Sequence, residues 1–241
     1  MLRLSICSRS HILISLKSRV VAKYLLTLCA YMDMKRLYNV VVVVVVALAA
    51  AFVVSCSNEN DSVLTTQQNK IASYLTSSHQ PRLVAEEDVP SQTTPDPHFY
   101  TRWGLDIYRY IATYYDEGRD EWQEVTSRST IEIVYTAYVF PNAKPTIANM
   151  YATNDPDSIE ELKKINPEGF KPEYEWTTDP MVVTLGKKEV LPGLETALVG
   201  CREGDSVEIY LTYDEAYGKH YVGMVPAKSA VVWFIDIVDV K

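Results

Sequence analysis

The chain has 241 residues, a formal net charge of −8 and 47% hydrophobic residues, so it is long enough for one or two globular domains. The charge is unevenly distributed, because residues 1–55 hold seven Lys or Arg and one Asp, whereas residues 56–241 hold 16 Lys or Arg and 30 Asp or Glu. Since nucleic-acid binding requires a basic surface, this acidic body argues against nucleic acid as a partner.

A signal-peptide pattern lies in the N-terminal part. Lys35 and Arg36 precede an unbroken apolar run from Val40 to Val54, which is short for a membrane span and typical of a signal-peptide core. The small residue Ser55 and then Cys56 follow the run. This order resembles the signal of bacterial lipoproteins, in which the cysteine is lipidated. The alternative is a plain transmembrane anchor with an incidental cysteine.

The resemblance implies a location and a set of boundaries. We expect residues 34–55 to be a lipoprotein signal peptide and Cys56 to carry the lipid. The protein would then be anchored to a bacterial membrane in the cell envelope outside the cytoplasm, either periplasmic or surface-exposed. Residues 1–33 precede a natural signal-peptide start at Met34, and we interpret them as an over-extended gene start.

The polar segment after the cysteine predicts a tether, over residues 56–98, with one short helix. Ile71 and Leu75 stand at positions i and i+4, which favours a helix there. The stretch from Ser77 to Pro97 is rich in Ser, Pro and acidic residues and has the composition of a linker. His79 within this stretch and His98 directly after it are expected to be solvated.

Five segments with alternating apolar residues predict strands. They are GLDIYRYIATYY from Gly104, STIEIVYTAYVF ending at Phe140, DPMVVTLG from Asp179, SVEIYLTY from Ser206, and SAVVWFIDIVDV from Ser229. A short helix from Pro192, stopped by Gly200, separates the third and fourth strands. We therefore expect an α+β domain over residues 99–241, with an antiparallel sheet around one short helix.

Two further local predictions concern the same domain. In the long connection between the second and third strands, Ser158 to Ile165 carries a helix signal with Asp157 or Ser158 as the cap. Cys201 follows the short apolar helix and is predicted to be a buried core thiol. With Cys56 carrying lipid, no disulfide partner remains for it within residues 34–241.

The C-terminal part carries a family resemblance. The run LGKKEVLPGLETALVGCREGD (residues 185–205), with the following YLTYDEAYG and MVPAKSAVVWFIDIVDV, is similar to the C-terminal half of FKBP-type peptidyl-prolyl cis-trans isomerases. The similarity covers Pro180 to Val240, and IVYTAYV upstream resembles the family strand with Tyr-Thr-Gly. The resemblance implies an FKBP-like antiparallel half-barrel sheet wrapped on the short helix, with a long insertion between the second and third strands.

The resemblance also implies the residues of an apolar proline pocket. The catalytic residues would be Tyr135, Tyr217 through its hydroxyl, and Leu191 through its backbone N–H. The substrate-binding residues would be Tyr151, Met181, Val190, Leu194, Tyr221, Met224, Val225 and Trp233. Many of these apolar residues are equally expected in the core of any such fold. The usual pocket Asp is absent, because Ala152 stands at its position, and we expect weak binding of macrolide inhibitors.

Two functions are compatible with these residues. The first is a lipid-anchored peptidyl-prolyl isomerase that acts on proline-containing polypeptides and stabilises the twisted X–Pro amide. Because no bond is broken, it needs no metal or cofactor. The second is a non-catalytic peptide-binding or chaperone-like module on a degenerate FKBP fold, favoured by Ala152 and by the insertion. A hydrolase has no support, because the histidines and Cys201 show no triad pattern.

Overall fold

The computed structural model describes residues 61–89, 96–102, 104–167 and 177–241. All of them belong to one compact unit. The signal-peptide pattern and Cys56 lie outside the described residues. Among the described ranges, no helix is long and apolar enough to cross a membrane.

The described elements are, in chain order, helix α1 (61–77), β1 (Val84–Ala85), β2 (His98–Arg102), β3 (Ile107–Ile111), β4 (Thr130–Val139), β5 (Met150–Thr153), helix α2 (Pro156–Ile165), β6 (Met181–Thr184), helix α3 (Pro192–Leu198), β7 (Ser206–Leu211) and β8 (Val231–Val240). The sheet order is β1-β2-β3-β7-β8-β4-β5, and β6 also pairs with β4. All neighbours are antiparallel except β1 and β2. This open sheet with few helices confirms the predicted α+β class.

The front face of the sheet packs on α3, as predicted. Alternation along β4 and β8 places Ile131, Ile133, Ile235 and Ile237 on this face, and all four are at most 2% exposed. Burying each such side chain stabilises the fold by about 1.5–3 kcal/mol. They form one core with the buried residues of α3.

Arg109 on β3 and Cys201 hold the end of α3. The Arg109 guanidinium donates to the carbonyl oxygens of Ala197 and Val199, each at 2.8 Å. A cation at a helix C-terminus satisfies carbonyls that have no partner within the helix.

Cys201 is a free, fully buried thiol, which confirms its predicted place in the core.

The back face of the sheet differs from the expectation, because α1 packs on it. A flexible tether and linker were predicted here, yet Ile71, Leu75 and Leu83 are at most 1% exposed. They form a second core with aromatic side chains of the sheet, among them Phe140 and Tyr210. The described part of residues 56–98 is therefore built into the domain, since its apolar positions cover the sheet.

The two histidines of the predicted linker are a further correction. His79 is 3% exposed and His98 is 7% exposed, so neither is solvated. His98 Nε2 lies 2.9 Å from the Tyr100 hydroxyl, and its Nδ1 lies 2.9 Å from the Tyr115 hydroxyl. The hydroxyls of Tyr100 and Tyr115 therefore take the place of the water that an exposed imidazole would bind.

Helix α2 confirms the helix predicted in the insertion, with a different cap. Asp155, rather than Asp157 or Ser158, is the N-cap, and its Oδ2 accepts a hydrogen bond of 2.8 Å from the Ser158 N–H. Pro156 occupies the first turn, where its missing N–H leaves no donor unpaired.

Candidate functional site

An aromatic cluster lies on the front face where β4, β5 and β8 meet the loop after β7. Its four rings are Tyr135, Tyr151, Tyr217 and Trp233. The Tyr135 ring stacks on the Trp233 indole at a centroid distance of 4.8 Å and an interplanar angle of 27°. Tyr151 contacts Trp233 edge-on at 6.2 Å and Tyr217 edge-on at 5.9 Å. These geometries are the favourable offset and edge-to-face arrangements of aromatic pairs.

Most of the predicted pocket residues adjoin this cluster. Leu194, Val225 and Trp233 are buried in the front core. Tyr135, Tyr151, Met181, Val190, Leu191 and Tyr217 are partly buried and pack against the same core. The structure therefore brings nine of the predicted side chains onto one core, while the roles of the individual residues stay predictions.

Two small residues leave room for the Trp233 indole. In the sheet register, Trp233 stands opposite Ala137, and Ala137 stands opposite Ala152. The three residues thus form one row across β8, β4 and β5. Ala152 is the residue that the resemblance aligns with the usual pocket Asp, and the row contains no carboxylate. The nearby Asp155 does not replace it, since its side chain caps α2.

Two carboxylates hold the segment before α3, which was predicted to form the pocket rim. Glu189 accepts a hydrogen bond of 2.7 Å from the Thr184 N–H, and Glu195 accepts one of 2.8 Å from the Lys188 N–H. These two carboxylates tie the segment to β6 and to α3, so they position Val190 and Leu191. The carboxylates of Glu189 and Glu195 therefore fix the backbone of the segment that was predicted to form the rim.

Gly193 brings the start of α3 close to the loop that carries Tyr217. A Cβ at this position would lie 2.8 Å from the Glu215 carbonyl oxygen and 2.8 Å from Leu211 Cδ2. Contacts this short require the neighbours to move. The absence of a side chain at Gly193 thus allows α3 to approach Glu215, two residues before Tyr217.

Helix α1 supports the Tyr217 loop from behind. The Gln67 side chain accepts a hydrogen bond of 2.9 Å from the Tyr213 N–H and donates one of 2.8 Å to the Lys228 carbonyl. Tyr213 and Lys228 stand at the two ends of the loop, and Lys228 also donates to the Gly218 carbonyl at 2.9 Å. One glutamine therefore joins both ends of the loop, a contact that the sequence did not indicate.

The other two predicted loop residues, Tyr221 and Met224, are exposed to solvent. Tyr221 is 74% exposed and Met224 is 68% exposed, on a hairpin closed by the Val222–Val225 bridge. Neither belongs to the front core or to the partly buried side chains that pack against it. Their assignment to substrate binding stays a prediction.

Asn154 is a residue of this region that sequence reasoning missed. Its side chain is 3% exposed, accepts a hydrogen bond of 2.7 Å from the Tyr135 N–H, and donates to the carbonyls of Ile133 and Asp179, each at 3.0 Å. The amide thus pairs backbone groups of β4 between the ends of its partners β5 and β6, and joins them to Asp179 before β6. Asn154 directly follows Tyr151-Ala152-Thr153, but a lone Asn in a loop carries no signal of such a role.

The cluster is electrically neutral around pH 7. Burial raises the pKa of the Tyr135 phenol, and the nearby Tyr217 adds to that shift. Burial also raises the pKa of Tyr151, strongly. Both phenols therefore stay protonated and act as hydrogen-bond donors. Among the described residues, no group of three or more His, Cys, Asp or Glu could hold a metal ion.

A separate groove of about 260 Å³ lies on the other side of the sheet. Its lining includes Thr136, Ser206, Glu208, Phe234 and Asp236. Ser206, Glu208, Phe234 and Asp236 alternate with front-core residues along β7 and β8. Tyr135 of the aromatic cluster also contributes to the lining of the groove.

Comparison with known proteins supports the resemblance over the C-terminal part of the chain. The model of the FKBP-type peptidyl-prolyl cis-trans isomerase family matches residues 162–238. The curated peptidyl-prolyl cis-trans isomerase FKBP11 of Bos taurus is 32% identical over 63 residues, which are 26% of this chain. These residues span only 31% of the length of that relative.

The matched range holds only part of the aromatic cluster. It contains Tyr217 and Trp233 of the cluster, and also Leu191, whereas Tyr135 and Tyr151 precede it. The comparisons confirm the resemblance as a similarity of sequence over residues 162–238. The lipoprotein pattern at Cys56 lies outside both the match and the described residues.

Proposed function

We propose that this protein is a peptidyl-prolyl cis-trans isomerase that acts on proline-containing polypeptides at the aromatic cluster. The observation that carries the proposal is that Leu191, Tyr217 and Trp233 of the FKBP-type range pack on one core with Tyr135 and Tyr151. Members of that family are named for this reaction.

The chemistry required by the reaction fits these side chains. An X–Pro bond isomerises over a barrier of about 18–20 kcal/mol that arises from amide resonance, and the uncatalysed step takes roughly 10–100 s. The twisted amide has less charge separation than the planar forms, so its transfer from water to an apolar surface costs less free energy. The rings and aliphatic side chains supply that surface, and the Tyr217 hydroxyl and Leu191 N–H would hold a ligand carbonyl.

Isomerisation kinetics test this proposal. Residues 57–241, which contain the compact unit, are assayed with short X–Pro peptides of varied X beside a Tyr217→Phe, Leu191→Ala double variant. We expect a rate well above background in the wild type and a collapse in the variant. A wild-type rate equal to background for every peptide would rule out the enzyme.

A non-catalytic peptide-binding module is the second candidate. Ala152 in place of the usual Asp favours it, because the row beside Trp233 then lacks a carboxylate. This candidate predicts that X–Pro peptides bind the cluster without faster isomerisation. Binding is measured in an NMR titration with the same peptides. An isomerase raises the isomerisation rate, whereas a binding module changes the chemical shifts of the peptide without raising that rate.

We also propose that the protein is anchored outside the cytoplasm by lipid on Cys56. The support is the order of basic residues, apolar run, small residue and cysteine in residues 34–56. The test is metabolic labelling with a radioactive fatty acid in a bacterial host, with Cys56→Ser beside the wild type. Label on the wild type alone is expected, and label on both proteins or on neither contradicts the proposal.

A further inference from the structure

Exposed apolar side chains gather at the end of the sheet where β7 ends. Of the ten large apolar side chains that are exposed in the described part of the chain, four lie on two segments there. One segment is the turn between β2 and β3, and the other is the hairpin after β7. The four residues, which we call the apolar end, are Leu105, Tyr221, Val222 and Met224. Apolar surface that is concentrated rather than scattered indicates an interaction site.

Hydrogen bonds join the two segments to each other and to α1. The Thr212 N–H donates to the Asp106 carbonyl oxygen, and the Thr212 hydroxyl donates to the Asp106 carboxylate, each at 3.0 Å. Gln68 on α1 donates to the same carboxylate at 2.9 Å. The neighbouring Gln67 bonds to both ends of the loop that carries the hairpin. The turn, the base of the hairpin and the N-terminal half of α1 therefore lie at one end of the domain.

The backbone at Leu105 supports a role for its exposed side chain. Its φ is 76°, a left-handed conformation in which a bulky residue is rare and in which Gly or Asn costs less free energy. Strained residues of this kind concentrate at functional sites. The hairpin is also unusual, because every residue from Lys219 to Met224 is exposed. Both segments thus present apolar side chains to solvent at a free-energy cost.

The composition of the hairpin fits the interface of a lipid bilayer. Lys219 and His220 precede Tyr221, and Val222 and Met224 complete the tip. A tyrosine ring favours the headgroup region, where its body contacts acyl chains and its hydroxyl contacts water. A lysine beside it attracts lipid phosphate.

The charge of the hairpin contrasts with that of the domain. Residues 219–224 contain a lysine and no acidic residue, whereas residues 56–241 hold 16 Lys or Arg and 30 Asp or Glu, a net charge of −14. The hairpin is thus a local exception to an acidic surface that an anionic membrane would repel.

The proposed lipid anchor reaches the same end of the domain. From Cys56 to the start of α1 at Asp61 the chain makes five steps, which span at most about 18 Å. Gln67 lies six residues further along the helix, about 9 Å from Asp61. The opposite end of α1 is about 25 Å from Asp61, beyond the reach of this connection. Lipid on Cys56 would therefore bring the bilayer to the apolar end.

We propose that the apolar end docks on the surface of the phospholipid bilayer that holds the anchor. The inference rests on the proposed lipidation of Cys56, and it adds a second membrane contact to that anchor. A single acyl chain binds a membrane only reversibly, and a second contact stabilises the attachment. The tip of the hairpin enters the headgroup region, and the Lys219 ammonium stays with the lipid phosphates.

Vesicle flotation tests the docking without the anchor. Unlipidated residues 57–241 are mixed with vesicles of phosphatidylethanolamine and phosphatidylglycerol in equal parts. The wild type should float with the vesicles, and Tyr221→Ser, Met224→Ser should lower its partition coefficient about 10-fold or more. The matched control is Val182→Ser, Val238→Ser, since these two valines are equally exposed elsewhere on the sheet. The control should partition like the wild type.

Leu105→Asn tests the turn separately from folding. Asn suits a positive φ, so the thermal midpoint should equal that of the wild type or exceed it. The partition coefficient should nevertheless fall about 3-fold, because an apolar side chain is lost from the apolar end. If the hairpin variant unfolds, Leu105→Asn decides.

Hydrogen exchange locates the contact on the vesicle-bound wild type. Exchange should slow in residues 219–224 and around Leu105, and it should be unchanged in α2. Slower exchange confined to other segments overturns the proposal.

The remaining outcomes separate this proposal from the proposed function. A wild type that stays in the aqueous fraction, or a hairpin variant that floats like the wild type, overturns the docking. The same holds if the wild type retains a reduced, unfolded polypeptide but no vesicles and the hairpin variant loses it, since the hairpin then serves a polypeptide partner. Failure of fatty-acid labelling at Cys56 removes the anchor and leaves the flotation result standing. The isomerase assay contains no vesicles, so its result is independent of both.

Discussion

The imidazole of His79 faces the carboxylate of Glu208, with Nε2 at 2.9 Å from Oε2. This pair joins the turn after α1 to the back face of β7. The other ring nitrogen, Nδ1, faces the Pro81 carbonyl oxygen. Because both nitrogens face acceptors, the ring is best satisfied when both carry a proton. Glu208 also accepts a hydrogen bond of 2.6 Å from the Tyr210 hydroxyl.

The His79 pair predicts a stability that depends on pH. Burial acts to lower the pKa of His79, but its contacts with Glu208 and Pro81 outweigh burial and the repulsion by Lys144, so the pKa is raised. Because the pKa is raised, the protonated imidazole contributes fully to stability below about pH 6.5, the pKa of histidine in the unfolded chain. This contribution is lost as the pH rises through the pKa of the folded state.

The measurement is the free energy of unfolding of wild type and His79→Gln by urea between pH 5.5 and 8.5. The wild type should lose stability relative to the variant as the pH rises above about 6.5. The matched control is His220→Gln, since His220 is exposed. A difference between wild type and His79→Gln that stays constant over this range would contradict the assignment.

Ile71→Ala tests whether α1 is part of the domain. Ile71 is fully buried against the sheet, so its truncation should lower the free energy of unfolding by about 2–5 kcal/mol. Lys70→Ala, one residue earlier on the exposed side of the helix, should change it by less than about 0.5 kcal/mol. Equal urea midpoints for the two variants would mean that α1 is the tether suggested by its polar composition.

Gly193→Ala should disturb the rim of the aromatic cluster. The added methyl group would lie too close to the Glu215 carbonyl, so α3 must shift away from the Tyr217 loop. We expect a loss of about 1–3 kcal/mol in unfolding free energy together with a lower kcat/KM. Thr196→Ala in the same helix is the control. Wild-type kcat/KM in Gly193→Ala would show that this approach does not position Leu191.

The isomerase rate should be independent of pH between about 6 and 8.5. The cluster contains no carboxylate or imidazole, and burial raises the pKa of Tyr135 and of Tyr151, so their phenols keep their protons across this range. The measurement is kcat/KM at several pH values within the range where the protein stays folded. A bell-shaped profile would reveal a titrating group outside the cluster.

Periodicity predicted β3, β4, β6, β7 and β8, because alternation directly reports which face of a strand is buried, but it did not predict the short strands β1, β2 and β5. The positions Ile131, Ile133 and Tyr135 illustrate this on β4. The same reasoning predicted α3 from Leu194 and Leu198. The resemblance then indicated which of these residues adjoin the cluster.

The features that the sequence did not reveal depend on distant partners. Ile71 and Leu75 indicated a helix, but the aromatic surface that buries them comes from β7 and the end of β4. Likewise, Asn154 pairs backbone groups of β4. Ala137 pairs with Ala152 and Tyr138 with Met150, so Tyr151 forms a bulge that exists only in the register of two strands. No local pattern encodes such pairings, since register is set by the whole sheet.

Equilibrium exchange NMR of one X–Pro peptide tests the central claim most directly, because it follows the cis and trans forms without a coupled reaction. When the protein is present in a small molar fraction, the exchange rate should rise in proportion to the protein concentration, whereas the cis-to-trans ratio should stay constant. The Tyr217→Phe, Leu191→Ala variant should abolish the rise. An exchange rate that stays at the uncatalysed value, while the peptide signals shift on binding, would contradict the enzyme and leave a peptide-binding module.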